Sequence, residues 1–468
     1  MEVMMNTNMT VREGISSFLF AALLVFALAS IVDAKEDNLR AALELVQEDS
    51  LVISPEQVIE ECCKVLTSSI QMSSHELEVV YKRRGEAYLR LGNTEKAKSD
   101  FDYLVKLRPD DPIPRCKQAC CLPKPEDRLL QLKIIIREFP KCARAYTAAA
   151  IELGKIGELD QAINYSSQAI AINSQYPYAF LIRAMTCRAK EDWTHCYEDI
   201  TTFINLLPFT GLENLEGPYI LRGAALGGMG RFREAVPNYL MAIKLNSSNT
   251  EAHYGLFQSY FMMSKYHAAS VVAERWVSIE PKSSKALLAC ASCYSQIGRL
   301  EEAIKMVESA ILLNPGSSSA VFLLAQALSR EGQFDKSVTQ FNKALELDPS
   351  NEAALLEYSL FLSTCPDPTI RNGEKGKKLA KKLCDLRKGK DCSSLMALAA
   401  AEAECGNFDE ASKIATRCLE MKGQLKEFEK VSVDLWRKQL ELYRAHKPSR
   451  LERVNPKMIN ETLKDDED

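Results

Sequence analysis

The sequence predicts an all-α fold, a solenoid of stacked helix-turn-helix segments, on three observations. Pro281, Pro315 and Pro349 recur 34 residues apart. Each closes a segment with the same internal punctuation. Counting from Thr250, Ser284 and Ser318, the eighth position is Phe257, Ala291 and Ala325, and the eleventh is Tyr260, Tyr294 and Leu328. The twentieth is Ala269, Ala303 and Ser337, and the twenty-seventh Trp276, Ala310 and Ala344. Within a segment the apolar residues keep helical spacing: Leu287, Ala291 and Tyr294 mark one face of a first helix, and Ala303, Val307 and Ala310 one face of a second.

Small residues recur where the two helices of a pair must approach closely. Gly298 falls between them, where a helix ends in a left-handed residue at little steric cost. Pro315 stops the second helix, lacking an amide hydrogen and clashing with the preceding turn. One such pair cannot cover its own apolar face, whereas stacked neighbours can, so a chain of 468 residues reads as one extended domain.

In chain order, Phe18 to Val32 is an uninterrupted run of apolar and small residues, preceded by Arg12 and followed by Ala34 and a polar stretch. The pattern predicts a secretory signal peptide cleaved after Ala34, and hence export. An uncleaved membrane anchor recruiting residues from Ile15, or a buried solenoid cap, are the alternatives. Residues 35–77 read as an N-terminal helical cap and partial repeat, with Ser54 as helix cap and Pro55 in the first turn. Repeats begin at Glu78, Ala143, Pro177, Glu216, Thr250, Ser284 and Ser318, with a shortened one at 112–142. The repeat from Glu352 carries an insertion at 364–373 between its helices, another insertion lies near 211–215, and a closing repeat starts at Cys392. A C-terminal capping helix is expected over 426–449 and a disordered acidic tail over 450–468.

From roughly residue 78 to 425 this pattern resembles the tetratricopeptide repeat family, on many coincident positions rather than one motif. The altered last repeats and the leader-like N-terminus resemble bacterial multi-repeat members. The resemblance implies a right-handed α-solenoid of about nine or ten repeats that binds a protein or peptide in a concave groove.

Composition limits the alternatives. Net charge is −4 with the signs intermixed, which leaves no nucleic-acid footprint, and the membrane is reached only through residues 15–34 if these are not cleaved. The basic cluster at Lys375 to Lys382 has Leu379, Ala380 and Leu383 interleaved at helical spacing, so it reads as a solvated helix face. The five histidines, His75, His195, His253, His267 and His446, form no HExxH and no nucleophile motif. Gly227, Gly228 and Gly230 mark a helix end, having no preceding strand. No catalytic residue, cofactor or metal site is expected.

Fifteen cysteines cannot all pair within the chain. Cys187, Cys196, Cys290 and Cys418 sit at packing positions and read as small buried apolar residues. Cys290 and Cys293 form a CxxC inside a first helix with no second pair. The cluster Cys116, Cys120 and Cys121 is a candidate disulfide donor, because only one of two adjacent cysteines can face the core.

In the family the groove is lined by positions two, five, six, nine, twelve and thirteen of the first helices. Carried over, the fifth positions include Tyr254, Leu288 and Phe322 and the ninth Gln258, Ser292 and Gln326. Chaperone-docking members hold a terminal carboxylate with a clamp of Lys, Arg and Asn. Lys82 and Arg83 fit it but Arg144, Ala148, Tyr178 and Ile182 do not complete it, and no His-Pro-Asp tripeptide occurs, so a co-chaperone is disfavoured. The remaining surface reads as an apolar groove with Tyr254, Tyr260, Phe261, Met262, Leu288 and Phe322 as anchors, flanked by Gln258 and Gln326. The chain is thus expected to be a non-catalytic scaffold for a protein partner, or alternatively a structural protein that self-associates through its end repeats.

Overall fold

A computed structural model describes residues 54–68, 72–207, 215–389, 391–421 and 433–450. Among these residues there are 22 α-helices and no strand. The chain divides into two compact units, Met1–Met229 and Gly230–Asp468.

The first unit holds α1 (Pro55–Leu66), α2 (Ser74–Arg90), α3 (Thr94–Leu107), α4 (Pro112–Cys120), α5 (Pro125–Glu138), α6 (Ala143–Lys155), α7 (Leu159–Ile172), α8 (Pro177–Ala189), α9 (Trp193–Leu206) and α10 (Gly217–Gly228). The second holds α11 (Phe232–Leu245), α12 (Thr250–Met262), α13 (Tyr266–Ile279), α14 (Ser284–Gln296), α15 (Leu300–Leu313), α16 (Ser318–Glu331), α17 (Phe334–Leu347), α18 (Glu352–Thr364), α19 (Gly373–Leu386), α20 (Cys392–Glu404), α21 (Phe408–Glu420) and α22 (Val433–Arg444). Each unit is a stack of helix hairpins in which every helix packs on its chain neighbours.

The repeat frame has a direct physical basis. In several repeats the residue just before the first helix caps it: Asn249 accepts from the Ala252 amide, Ser317 from Ala320 and Asn351 from Ala354. The twentieth positions Ala97, Ala162, Cys196, Ala235, Ala269, Ala303, Ser337 and Ala411 are fully buried, as close helix approach requires. Ser337, polar at such a position, is satisfied by donating to the Ala325 carbonyl at 2.7 Å, the eighth position of its own repeat.

The fifteenth position is left-handed in every repeat of this register. Gly92, Gly157, Gly230, Gly298, Gly332 and Gly406 hold it with positive φ, and Glu191 and Ser264 hold the same place at φ 58° and 61°. The next amide then returns to the eleventh carbonyl, as in Arg299 to Tyr294 at 2.8 Å and Lys265 to Tyr260 at 2.9 Å. In the repeat from Glu352 this place is Pro366, and the turn is replaced by the expected insertion, where Arg371 donates to the Cys365 carbonyl at 3.0 Å.

Two repeats of the first unit share a buried ion pair at their seventh and twenty-third positions. Arg84 donates to both oxygens of Asp100, at 3.0 and 2.7 Å, and Arg183 to both of Asp199, each at 2.7 Å. Within the 426–449 segment, α22 buries Trp436, Leu440 and Tyr443 against Cys392, Leu395 and Cys418 of the last repeat. Residues 1–34, most of the 211–215 insertion and the tail from 451 lie outside the described residues. No described helix is long and apolar enough to cross a membrane.

Candidate functional site

The residues expected to line a groove all belong to α12, α14 and α16, the first helices of three consecutive repeats in the second unit. The structure divides them into two groups. Tyr254, Tyr260, Phe261, Leu288 and Phe322 are half-buried and lie against core clusters of the neighbouring helices. Tyr254 sits 5.5 Å from the Trp276 ring, with the Lys285 ammonium 3.5 Å above its face and the Gln258 amide donating to its hydroxyl at 2.6 Å. Phe322 lies 6.3 Å from Phe341, a core ring. Tyr260 occupies an eleventh position, whose side chain turns toward its own hairpin. Gln258 and Met262 remain open to solvent, Met262 at 61%.

Phe261 and Gln326 come together in a cavity of about 100 Å³, with Ser292, Ser295, Gln296 and Leu323 completing most of its wall. Counted in the repeat frame these are positions twelve, nine, nine, twelve, thirteen and six. Phe261 forms the apolar end, held tilted against Phe257 at 5.6 Å and edge-on to Tyr266 at 5.2 Å. Ser292 turns its hydroxyl back to the Leu288 carbonyl at 2.8 Å, and Ala291, Ala303, Val307 and Ala327 complete the wall, so the lining mixes apolar side chains with hydroxyls and amides.

Arg330, at the thirteenth position of α16, reaches back to α14 and donates Nη1 to the Ser295 carbonyl at 3.1 Å and to its hydroxyl at 3.2 Å. Desolvation lowers this guanidinium from its ordinary pKa, and Glu357 on α18 pulls it back up through space. Burial pushes the Glu357 carboxyl above its usual range, with Arg330 opposing. The cavity is lined by apolar side chains together with the hydroxyls of Ser292 and Ser295 and the amides of Gln296 and Gln326, and Arg330 reaches its wall at Ser295.

Sequence reasoning missed Ser295, Gln296, Arg330 and Glu357. The signal was present, since all four occupy groove positions twelve, thirteen and six of the frame. A second depression of about 270 Å³ lies mainly between the second helices α15 and α17, with Glu308, Lys336 and Gln340 in its wall and Leu324 and Leu328 of α16 beneath. Among the described residues no group of His, Cys, Asp and Glu is arranged to hold a metal ion. All fifteen cysteines are free thiols, and ten of them are buried, including Cys187, Cys196, Cys290 and Cys418.

Comparison with known proteins gives the following. Residues 80–111 match one tetratricopeptide repeat model, and residues 263–328 and 298–357 match another. No curated protein sequence matches the chain. Among solved structures, yeast Tom70 is 15% identical with a TM-score of 0.44, covering 92% of this chain and 99% of its own. A MamA from Desulfovibrio magneticus RS-1 is 19% identical with a TM-score of 0.35, covering 37% of this chain and 96% of its own. YrrB, a tetratricopeptide repeat protein with an unusual peptide-binding site, is 17% identical with a TM-score of 0.30, covering 49% of this chain and 98% of its own. At these scores none of the three bears on function. With family matches in both units, and the same frame of caps, left-handed turns and buried small residues repeating between them, the chain is a multi-repeat tetratricopeptide repeat protein.

Proposed function

We propose that the chain is a non-catalytic scaffold that holds an extended or helical segment of a protein partner on the first-helix face of its second unit. One observation carries this reading: the cavity bounded by Phe261, Ser292, Ser295, Gln296 and Gln326 is assembled from the first helices of three consecutive repeats, with Ala303 and Val307 of α15 behind them. A bound segment packs an apolar side chain against Phe261 and hydrogen-bonds to the amides and hydroxyls beyond it. Arg330, bound to Ser295 in the cavity wall and within electrostatic reach of Glu357, adds charge that sets register, while the affinity comes from the apolar anchor.

The test is selection of binding peptides from a random library on the purified chain, followed by titration against Ser292→Trp, which fills the cavity from a side chain outside the core clusters. Binding is lost while the helical circular dichroism is unchanged. Retained binding would overturn the groove assignment.

Self-association is the second reading, favoured by Leu312 and Val271, which stand 82% and 66% exposed on second helices. A concentration-independent monomer by light scattering argues against it. Export remains an inference from residues 18–34 alone, and mass spectrometry of the mature N-terminus tests cleavage after Ala34.

A further inference from the structure

The chain that leaves α22 is tied down on the last repeats. The Lys447 amide donates to the Leu442 carbonyl at 2.9 Å, and His446 makes the turn there at φ 55° with its ring 5.3 Å from that of Phe408. Ser449 is buried, its hydroxyl 3.4 Å from that of the fully buried Tyr443. Arg450 Nη1 lies 2.7 Å from Glu404 Oε2 and 3.5 Å from the Ser363 carbonyl, 87 residues back. Arg371 Nε donates to the other oxygen of Glu404 at 2.9 Å and its Nη1 holds the Cys365 carbonyl at 3.0 Å. A carboxylate shared by two arginines, each also placed on a backbone carbonyl, is a fixed anchor.

Ser363 and Glu404 are the twelfth and thirteenth positions of their repeats, as Ser295 and Arg330 are of theirs. The anchor on α18 and α20 therefore stands at the same level of the first-helix face as the polar end of the cavity on α14 and α16, and these four helices pack on one another in order. From α18 to α14 is two helix-to-helix steps, about 20 Å. Leu463 follows Arg450 by thirteen residues, which span about 20 Å when helical and about 43 Å when extended. The chemistry matches as well as the reach. Leu463 has Glu461 and Asp465 two residues to either side and is followed by the acids Asp465, Asp466, Glu467 and Asp468. The cavity of about 100 Å³ has room for one aliphatic side chain between Phe261, Val307 and Leu323. Arg330 uses only Nη1 on Ser295, and among the described residues nothing is bound to Nε or Nη2, the edge that takes a carboxylate. The second-helix depression offers no such match, because Glu308 stands in its wall opposite Lys336.

We propose that residues 451–468, led off by the Arg450 anchor, lie back along the first-helix face and occupy the cavity, with Leu463 seated against Phe261 and the carboxylates beside it paired with the open edge of Arg330. This takes the first-helix face as the binding surface, as proposed above. The segment is then a built-in competitor. A partner segment must displace it, and the apparent affinity for the partner falls in proportion to the fraction of chains whose cavity is free. Because the anchor makes the competition intramolecular, its strength is independent of protein concentration.

The test places the photo-cross-linker benzoylphenylalanine at Thr462 of the full chain, next to Leu463, and irradiates it in dilute solution. Tryptic digestion of the monomer gives residues 458–464 joined to 286–299 of α14, or to 306–330 with the link beyond Phe322 on α16. Leu463→Ser lies outside the described residues and leaves every described contact in place; it abolishes the link, and Arg450→Ala reduces it several-fold. The Leu463→Ser chain also binds a library-selected groove peptide several-fold more tightly than the parent. A link found only between two chains, a link to residues 337–343 of α17, a link that survives Leu463→Ser, or no link at all overturns the proposal. No link beside a peptide whose binding is lost in Ser292→Trp leaves the partner reading standing, whereas a link beside peptide binding untouched by both Leu463→Ser and Ser292→Trp keeps residues 451–468 in the cavity and overturns the partner reading instead.

Discussion

Arg330 donates Nη1 to both the carbonyl and the hydroxyl of Ser295, at 3.1 and 3.2 Å, and so ties α16 to α14 beside the cavity. The partner residue is 35 positions away, one repeat plus one residue. A charged donor here gains about 1.5–3 kcal/mol from such bonds, part of which its own desolvation offsets. Arg330→Ala therefore lowers unfolding stability in urea by about 1 kcal/mol and leaves the helical content intact. Arg330→Lys does not restore binding of a selected peptide, because a single ammonium lacks the fork that reaches Ser295 while facing the groove.

Glu357 makes a prediction with a definite sign. Its carboxyl is raised by burial, so between the unfolded and folded pKa values the native state binds the extra proton and stability falls as pH rises. Glu357→Gln removes that penalty. The variant is more stable than the parent at pH 7, and the difference vanishes as pH falls below the ordinary carboxylate range near about 4. Urea unfolding at several pH values checks this, and a variant less stable at neutral pH would show that attraction to Arg330 outweighs the burial.

The left-handed fifteenth position supplies a stabilising substitution. Ser264 and Glu191 hold φ values of 61° and 58° where six other repeats use glycine. The left-handed conformation costs a residue with a Cβ about 1–2 kcal/mol, and glycine returns some of that gain as chain entropy in the unfolded state. Ser264→Gly and Glu191→Gly each raise stability by about 0.5–1 kcal/mol, and together they add, since they lie in separate units. Thermal unfolding followed by circular dichroism measures both.

Much of the fold was legible in the chain because the frame is enforced locally. Ala303 and Ala269 must be small for the helices to meet, Gly298 must be left-handed, and Asn249 and Ser317 must cap, so each position carries its own chemical mark. The groove was only half legible. Aromatic residues at groove positions look like anchors, yet Tyr254 and Phe322 lean on Trp276 and Phe341, rings contributed by the second helix of each one's own repeat. Arg330 looked unremarkable because its role depends on a contact one repeat back.

The central claim is that binding belongs to the first-helix face of the second unit. Isothermal titration of one library-selected peptide against Gln326→Arg and against Gln340→Arg tests it most directly, since Gln326 lines the first-helix cavity and Gln340 the depression on the second-helix face. The account predicts at least about a tenfold loss of affinity, about 1.4 kcal/mol, for Gln326→Arg and no change for Gln340→Arg. Equal affinities for the two variants, or loss only in Gln340→Arg, would contradict it.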